Sequence, residues 1–259
     1  MASGYTADEM MIVSAARSLA GGDVCFVGIG APSAACNLAR LTHAPDLTLI
    51  YESGTIGARP EVLPLSIGDG ELCATAVATV SVPEMFSYWL QGGRISIGFL
   101  GAAQLDRYGN VNTTVIGDYA APKVRLPGGG GAPEIATLCG EVYVTVRHDR
   151  RALVDKVDFV TSLGFGPTGV ERSRLGIATR GPTQVITDLC ILKPEDGTHE
   201  LIVTSIHPEA LPETIRQRTG WDVRFAGDVA ATPPPTVEEL EVLRDLYRRT
   251  REAHGRTAS

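Results

Sequence analysis

Apolar positions in the first fifty residues switch between two periods, and the switch predicts alternating helices and strands. Thr6-Ala-Asp-Glu9 reads as a capping box, in which side chain and backbone satisfy each other's free N–H groups. After it Met11, Ile12, Ala15, Ala16 and Leu19 recur at helical spacing, and Gly21-Gly22 ends the run. Val24 to Ile29 is a short continuous apolar run, read as a buried strand. Pro32 suits the start of a helix that reaches about Leu41, and Leu47 to Tyr51 reads as the next strand. Helix, strand, helix, strand is the alternation that builds parallel sheets.

The pattern continues along the chain. Leu72 to Val80 is apolar and weakly alternating, as a strand would be. Ser81-Val-Pro-Glu84 reads as a second capping box, opening a helix through Met85, Phe86, Trp89 and Leu90 that stops at Gly92-Gly93. Strands are expected at Arg94–Leu100, Val111–Ile116, Glu141–Val146, Val157–Thr161 and Gln184–Leu189. Cys190–Lys193 and Glu200–Ile206 flank Glu195-Asp-Gly197, a hairpin turn signal. Leu211–Thr219 reads as helix, and Thr236-Val-Glu-Glu239 caps a last helix after Pro233-Pro-Pro235. No repeat or linker divides the chain. The expectation is one α/β domain over residues 1–259, with a core at about 8–207 and a C-terminal helical extension at about 208–259.

Composition narrows the function more than the fold. A net charge of -7 argues against a nucleic-acid partner, which favours a basic stripe. An anionic substrate stays open, because a few local arginines suffice. Arg244, Arg248, Arg249 and Arg251 are interleaved with acids and read as a solvated helix face. The cysteines at 25, 36, 73, 139 and 190 form no Cys-x-x-Cys pair, which points to free thiols in a reducing compartment. With no signal peptide and no apolar run of membrane-spanning length, a cytoplasmic protein without a membrane partner is expected.

The chemistry-bearing positions fall at the ends of the expected strands. Leu47–Tyr51 ends in Glu52, followed at once by Ser53, Gly54 and Gly57. Ligands of α/β proteins bind at the carboxyl ends of strands, and glycines let a substrate approach the backbone. Glu52 there is a nucleophile or base, or else it caps a turn or holds an ion pair. Gly28-Ile-Gly30-Ala-Pro-Ser33 sits where a dinucleotide loop would, but Ser33 replaces the third glycine and Pro32 removes an N–H. A plain strand-to-helix turn is the alternative. Asp106-Arg-Tyr-Gly-Asn-Val-Asn112 is a turn sequence carrying two amides, Asn110 and Asn112, able to orient a carboxylate or donate to an oxyanion. Gly128 to Gly131 is either a surface loop or backbone wrapped on a ligand, with N–H groups facing developing charge. Arg59 and Arg125 could meet a substrate carboxylate or make surface ion pairs. The five histidines share no ligand spacing, so no metal is expected.

Taken together, these segments resemble the β subunits of class I coenzyme A transferases, with the β chain of glutaconate CoA-transferase the nearest likeness. The resemblance runs through Gly28-x-Gly30-x-Pro32, Glu52-Ser-Gly54, Asp106–Asn112 and Gly128–Gly131. It continues through Val157–Ser162, Gly181–Asp188, Ser205–Pro208 and Thr219–Trp221, covering about residues 8 to 245. It implies an open, mainly parallel sheet with helices on both faces, of the CoA-transferase (NagB/RpiA-like) type. It implies a separately encoded α subunit, often in an α2β2 assembly, with acyl-CoA and carboxylic acids as substrates and no permanently bound cofactor. Glu52 would be the nucleophile, attacking a thioester to give a mixed anhydride and then a glutamyl-CoA thioester. Asn112 would help position it, and Gly28, Gly30, Ser53, Gly54, Asn110, Gly129, Gly130 and Gly131 would contact substrate or CoA. Two other roles for Glu52 are compatible with the family: general base in a CoA-thioester hydrolase of the ring-cleaving type, or a pocket residue in a non-catalytic subunit.

Overall fold

The computed structural model describes residues 4–255. The Thr6 capping box forms as expected: the Thr6 hydroxyl accepts from the Glu9 N–H at 3.1 Å, and the Glu9 carboxylate accepts from the Thr6 N–H at 2.7 Å. It opens α1 (Ala7–Arg17), in which every residue from Met10 to Ala16 is buried. A helix buried nearly all round needs cover on several sides. The chain divides into two compact units, one holding the residues up to Phe99 and from Pro234 onward, the other Leu100–Pro233.

In the first unit, β1 (Val24–Phe26) leads through Gly28–Gly30 to α2 (Ala31–Leu41), then β2 (Thr48–Ile50) and β3 (Thr55–Ile56). Next come α3 (Gly70–Thr75), β4 (Ala78–Thr79), α4 (Val82–Glu84) and β5 (Ile97–Gly101). The strand order here is β5-β1-β2-β3-β4. β1 is parallel to both β5 and β2, with Phe26 beside Gly98 and Ile50, while β3 and β4 add antiparallel edges. α2 supplies Ala34, Ala35, Cys36 and Ala39, all fully buried, and their small side chains let it pack closely on α1.

One expectation fails in this unit, and one helix forms with a different turn. Residues 72–80 are not one strand. Asp69 accepts from the Glu71 N–H at 3.1 Å and starts α3 instead, leaving only Ala78–Thr79 as strand. After Ser81, whose hydroxyl accepts from the Glu84 N–H, α4 gives way to a π-helical turn at Met85–Leu90. Met85 and Leu90 are both buried although five residues apart. An α-helix would set them about 140° apart, and the wider turn brings them to one side.

The second unit begins with two small hairpins, β6 (Gln104–Leu105) with β7 (Val111–Asn112) and β8 (Val115–Gly117) with β9 (Pro122–Arg125). The glycine loop then enters α5 (Ala132–Leu138), followed by β10 (Glu141–Thr145), α6 (Glu171–Arg174), β11 (Pro182–Ile186), β12 (Cys190–Pro194), β13 (Leu201–Ile206), α7 (Pro212–Arg218) and β14 (Phe225–Ala231). The order is β14-β13-β12-β11-β10, parallel at β10–β11 and β13–β14. The hairpin around Glu195-Asp196-Gly197 forms as expected, with Gly197 at φ +84°. Val157–Thr161 is not a strand. Phe159 is drawn from that apolar run to stack on Tyr119 at 5.3 Å, and Val160 is exposed.

The chain returns to the first unit as α8 (Val237–Gly255), capped by Thr236 and Glu239 as expected. Leu240, Leu243 and Leu246 form its buried stripe toward α1 and α2. Arg17 pairs with Glu239 at 2.6 Å and Arg244 with Glu9 at 2.7 Å, while Arg248 and Arg249 pair along the helix with Asp245. Three of the four clustered arginines, Arg244, Arg248 and Arg249, are therefore ion-paired. The α/β class, the mixed, mostly parallel sheet and the C-terminal helix are all present.

Candidate active site

Glu52 stands on a three-residue turn at the carboxyl end of β2. The Gly54 N–H donates to the Tyr51 carbonyl at 2.9 Å, and the Tyr51 N–H donates to the Thr55 carbonyl at 3.1 Å. Gly54 lies at φ +100°, and a Cβ there would come within 2.0 Å of the Val80 carbonyl oxygen. The Val80 N–H in turn donates to the Gly54 carbonyl at 2.9 Å. Only glycine can close the hairpin this tightly.

The residue before the glutamate is a fixed anchor. Tyr51 is fully buried, its hydroxyl 3.3 Å from that of Ser33 on α2, and burial pushes the phenol up to about 12. It stays a neutral phenol at any ordinary pH. Glu52 itself is half-buried. Because β1 and β2 are parallel with Phe26 beside Ile50, the Gly28–Gly30 turn and the Glu52 turn leave the sheet at the same end. Gly30 is exposed at φ +81° and caps α2 without a side chain. The structure thus brings Gly28, Gly30, Glu52, Ser53 and Gly54 into one group within the first unit.

Asn110, Asn112 and the glycines 129–131 form a second group, within the second unit. Asn110 is 1% exposed: its side-chain amide donates to Asp106 and to the Gly166 carbonyl, and its oxygen accepts from the Gly164 and Gly166 N–H groups. Burial raises the Asp106 carboxyl, opposed by the N–H groups of Asn110 and Tyr108. Asn112 is fully buried. It donates to Gln104 at 2.7 Å and to the Val115 carbonyl at 2.6 Å, and accepts from the Thr114 and Val115 N–H groups. Both amides spend their side-chain polar atoms on bonds inside the second unit.

The glycine run lies in the same unit. Thr113 holds Gly128 through both backbone and side chain, each at 2.8 Å, and Thr161 accepts from the Thr113 N–H at 2.9 Å. Gly128 and Gly130 have φ +101° and +51°, and Gly131 caps α5. At the far end of α5, the buried Arg172 donates to the Ala136 carbonyl at 2.9 Å, and burial lowers its guanidinium to about 10. The Thr113–Thr161 clamp and Arg172 carried no signal in the sequence beyond the Val157–Ser162 segment. Among the described residues Arg59 donates to the Pro45 carbonyl and Arg125 lies over the Tyr119 ring at 4.7 Å, and neither meets a carboxylate.

The His207 and Thr219 segments build a buried network instead of a site. His148 is 1% exposed, with Nδ1 3.1 Å from the Thr187 hydroxyl and Nε2 3.0 Å from that of Thr219. Each hydroxyl also donates to a backbone carbonyl, Thr219 to Ile215 at 2.7 Å and Thr187 to Cys190 at 2.9 Å. Burial lowers His148 to about 4 and shifts His207 the same way. Among the described residues no group of three or more His, Cys, Asp or Glu is placed to hold a metal, and no helix is long and apolar enough to cross a membrane.

An α/β enzyme with a glutamate on the turn after a parallel strand is what fold and sequence together define here. The chain belongs to the coenzyme A transferase family, whose model matches residues 8–218. Over 253 residues it is 60% identical to the B subunit of the 3-oxoadipate CoA-transferase of Pseudomonas knackmussii, covering 98% of this chain and 97% of that one. It is 37% identical to the B subunit of the glutaconate CoA-transferase of Acidaminococcus fermentans, over 91% of each. The crystal structure of glutaconate coenzyme A-transferase from that organism superposes with a TM-score of 0.87, at 33% identity, over 93% of this chain and 94% of that one.

Proposed function

We propose that this chain is the β subunit of a CoA-transferase that moves coenzyme A between dicarboxylic acids by a ping-pong route, with Glu52 as the nucleophile. The observation that carries the reading is the Glu52 hairpin: a half-buried carboxylate on a turn closed by Gly54, at the end of the sheet where the β1–α2 turn also opens. The dicarboxylic class is supported by the names of the two relatives, 3-oxoadipate and glutaconate CoA-transferases. That each relative is one subunit of its enzyme supports a separately encoded α subunit here, in an assembly for which α2β2 is our expectation.

The chemistry balances without a cofactor. Glu52 attacks the thioester carbonyl of the donor acyl-CoA, and the C–S bond breaks to release CoA thiolate. The thiolate attacks the Glu52 carbonyl of the resulting anhydride, forming glutamyl-CoA and releasing the donor acid as carboxylate. The acceptor acid runs the two steps in reverse. Backbone N–H groups of Gly129–Gly131 are assigned to the tetrahedral oxyanions, with Asn110 and Asn112 setting the shape of the loops. Gly28, Gly30, Ser53 and Gly54 are assigned to substrate and CoA contact.

The test is intact-mass analysis of the subunit, co-purified with its α partner, after incubation with 3-oxoadipyl-CoA or glutaconyl-CoA and then borohydride. Reduction of glutamyl-CoA leaves an alcohol, one oxygen lighter and two hydrogens heavier than the acid. The expected result maps that change to Glu52. Steady release of free CoA without an acceptor acid, from a chain left unmodified, would replace this reading with hydrolysis in which Glu52 is a general base.

A further inference from the structure

Five buried side-chain polar atoms lack a hydrogen-bond partner among the described residues: Ser14 Oγ, Ser53 Oγ, Thr55 Oγ1, Ser162 Oγ and Trp221 Nε1. Folded chains leave few such groups, because a buried donor without an acceptor keeps its full desolvation penalty. Two of the five flank Gly54 on the hairpin that carries Glu52. Thr55 is only 1% exposed. A valine would fill nearly the same volume at this strand position and leave no hydroxyl unsatisfied, so the hydroxyl works against stability in the resting chain.

Backbone geometry fixes where Thr55 points. Tyr51 and Thr55 face each other across the hairpin, joined by the Tyr51 N–H to the Thr55 carbonyl. Facing residues of an antiparallel pair project to the same side of the sheet. That is the side on which the Tyr51 hydroxyl meets Ser33 of α2. The Ser53 and Thr55 hydroxyls thus lie within three residues of Glu52, on a hairpin held by the Tyr51 and Gly54 N–H groups and by the Gly54 carbonyl.

We propose that Thr55, with Ser53 beside it, supplies the hydrogen bond to the Glu52 carbonyl oxygen once that side chain has become a thioester with coenzyme A. The inference rests on the assignment of Glu52 as nucleophile. As a carboxylate Glu52 carries charge, and burying charge is costly. Thioester formation joins its carbonyl carbon to the CoA sulfur, while the anhydride C–O bond breaks and the departing acid takes the electron pair. The side chain is then neutral and tolerates burial if one donor meets its oxygen. The hydroxyls are unsatisfied in the resting enzyme and satisfied in the intermediate, which is the differential stabilisation that speeds a covalent route.

The experiment uses the complete complex with its α subunit, as wild type and as Thr55→Val, Thr55→Ser and Ser53→Ala. Each is incubated with acyl-CoA, reduced with borohydride and mapped by mass, alongside steady-state kinetics and thermal unfolding. Thr55→Val is expected to lower the trapped fraction at Glu52 about tenfold, the effect of one hydrogen bond. It should lower kcat with little change in KM for the acceptor acid and keep or raise Tm, and Thr55→Ser should restore trapping. Ser53→Ala should show a smaller effect of the same sign. Equal trapping in Thr55→Val and wild type overturns this inference alone. So does a Thr55→Val enzyme of lower Tm whose activity Thr55→Ser fails to restore, since that marks a packing role. A wild type that turns over without any adduct overturns both this inference and the nucleophile assignment.

Discussion

The Glu52 hairpin and the 106–131 segment are built on opposite terms. On the hairpin the backbone makes the ties, through Tyr51, Gly54, Thr55 and Val80, while the Ser53 and Thr55 hydroxyls find no partner among the described residues and Glu52 is half-buried. In the 106–131 segment the side chains are the ties. Asn110, Asn112, Thr113 and Thr161 spend their polar atoms on neighbouring backbone. A stiff frame with unspent side chains suits groups that change bonding during a reaction. Spent side chains suit the shaping of loops whose backbone does the work.

This contrast can be broken most sharply at Glu52. Glu52→Gln in the complex should cost on the order of 10³-fold or more in turnover with Tm unchanged, read by CoA transfer and by differential scanning calorimetry. A large loss of Tm would mean that Glu52 is a structural carboxylate.

Gly54→Ala attacks the frame itself. The added Cβ meets the Val80 carbonyl oxygen at 2.0 Å, at a φ of +100°, so a loss of about 3–5 kcal/mol in urea unfolding is expected together with activity.

Asn112→Ala should be the mirror case. It leaves the Thr114 and Val115 N–H groups and the Val115 carbonyl without their partner, at about 2–4 kcal/mol. Activity per folded enzyme should fall less than in Glu52→Gln. A stable Asn112→Ala protein that is catalytically dead would move Asn112 from staple to reacting group.

The pH dependence of stability tests the buried network of the second unit. His148 sits at about 4 in the folded chain because of burial, against about 6.5 unfolded. Folding therefore disfavours the protonated ring. Its contribution is complete above about pH 6.5 and falls away as the pH drops toward 4, by up to about 3 kcal/mol. His207 shifts the same way and adds to the slope. Urea unfolding at pH 7, 5.5 and 4.5 should show this loss, and His148→Asn should flatten the curve.

Gly130→Ala should have the smallest effect on stability. No atom lies within 4 Å of the added Cβ, and the cost is the positive φ of +51°, about 1 kcal/mol. A fall in turnover larger than that strain would support a close backbone approach of substrate at this glycine.

Much of the framework was readable in order along the chain. The Thr6 and Thr236 capping boxes, the parallel start from Val24 to Tyr51 and the Glu195–Gly197 hairpin depend on local rules and formed where expected. The Val157–Thr161 strand did not, and the helix through Met85–Leu90 formed with a π-helical turn. In both, an aromatic of the apolar run meets a ring distant in sequence, Tyr119 for Phe159 and Phe26 for Phe86. Glu52 could be singled out because a carboxylate followed by Ser-Gly after an apolar strand is a local pattern. Thr55, Thr113, Thr161 and Arg172 could not, because what marks them is a neighbour present or missing in three dimensions.

What the sequence by itself determined is therefore the family, the α/β alternation and the position of Glu52 at a strand end, since these follow from residue type and short-range spacing. Tertiary structure alone decided that Asn110 and Asn112 are spent on internal bonds, that Ser53 and Thr55 are left unpaired, and that His148 is buried neutral. Hydrogen-bond satisfaction and desolvation depend on which atoms lie within about 3 Å, and that is settled only when distant segments meet.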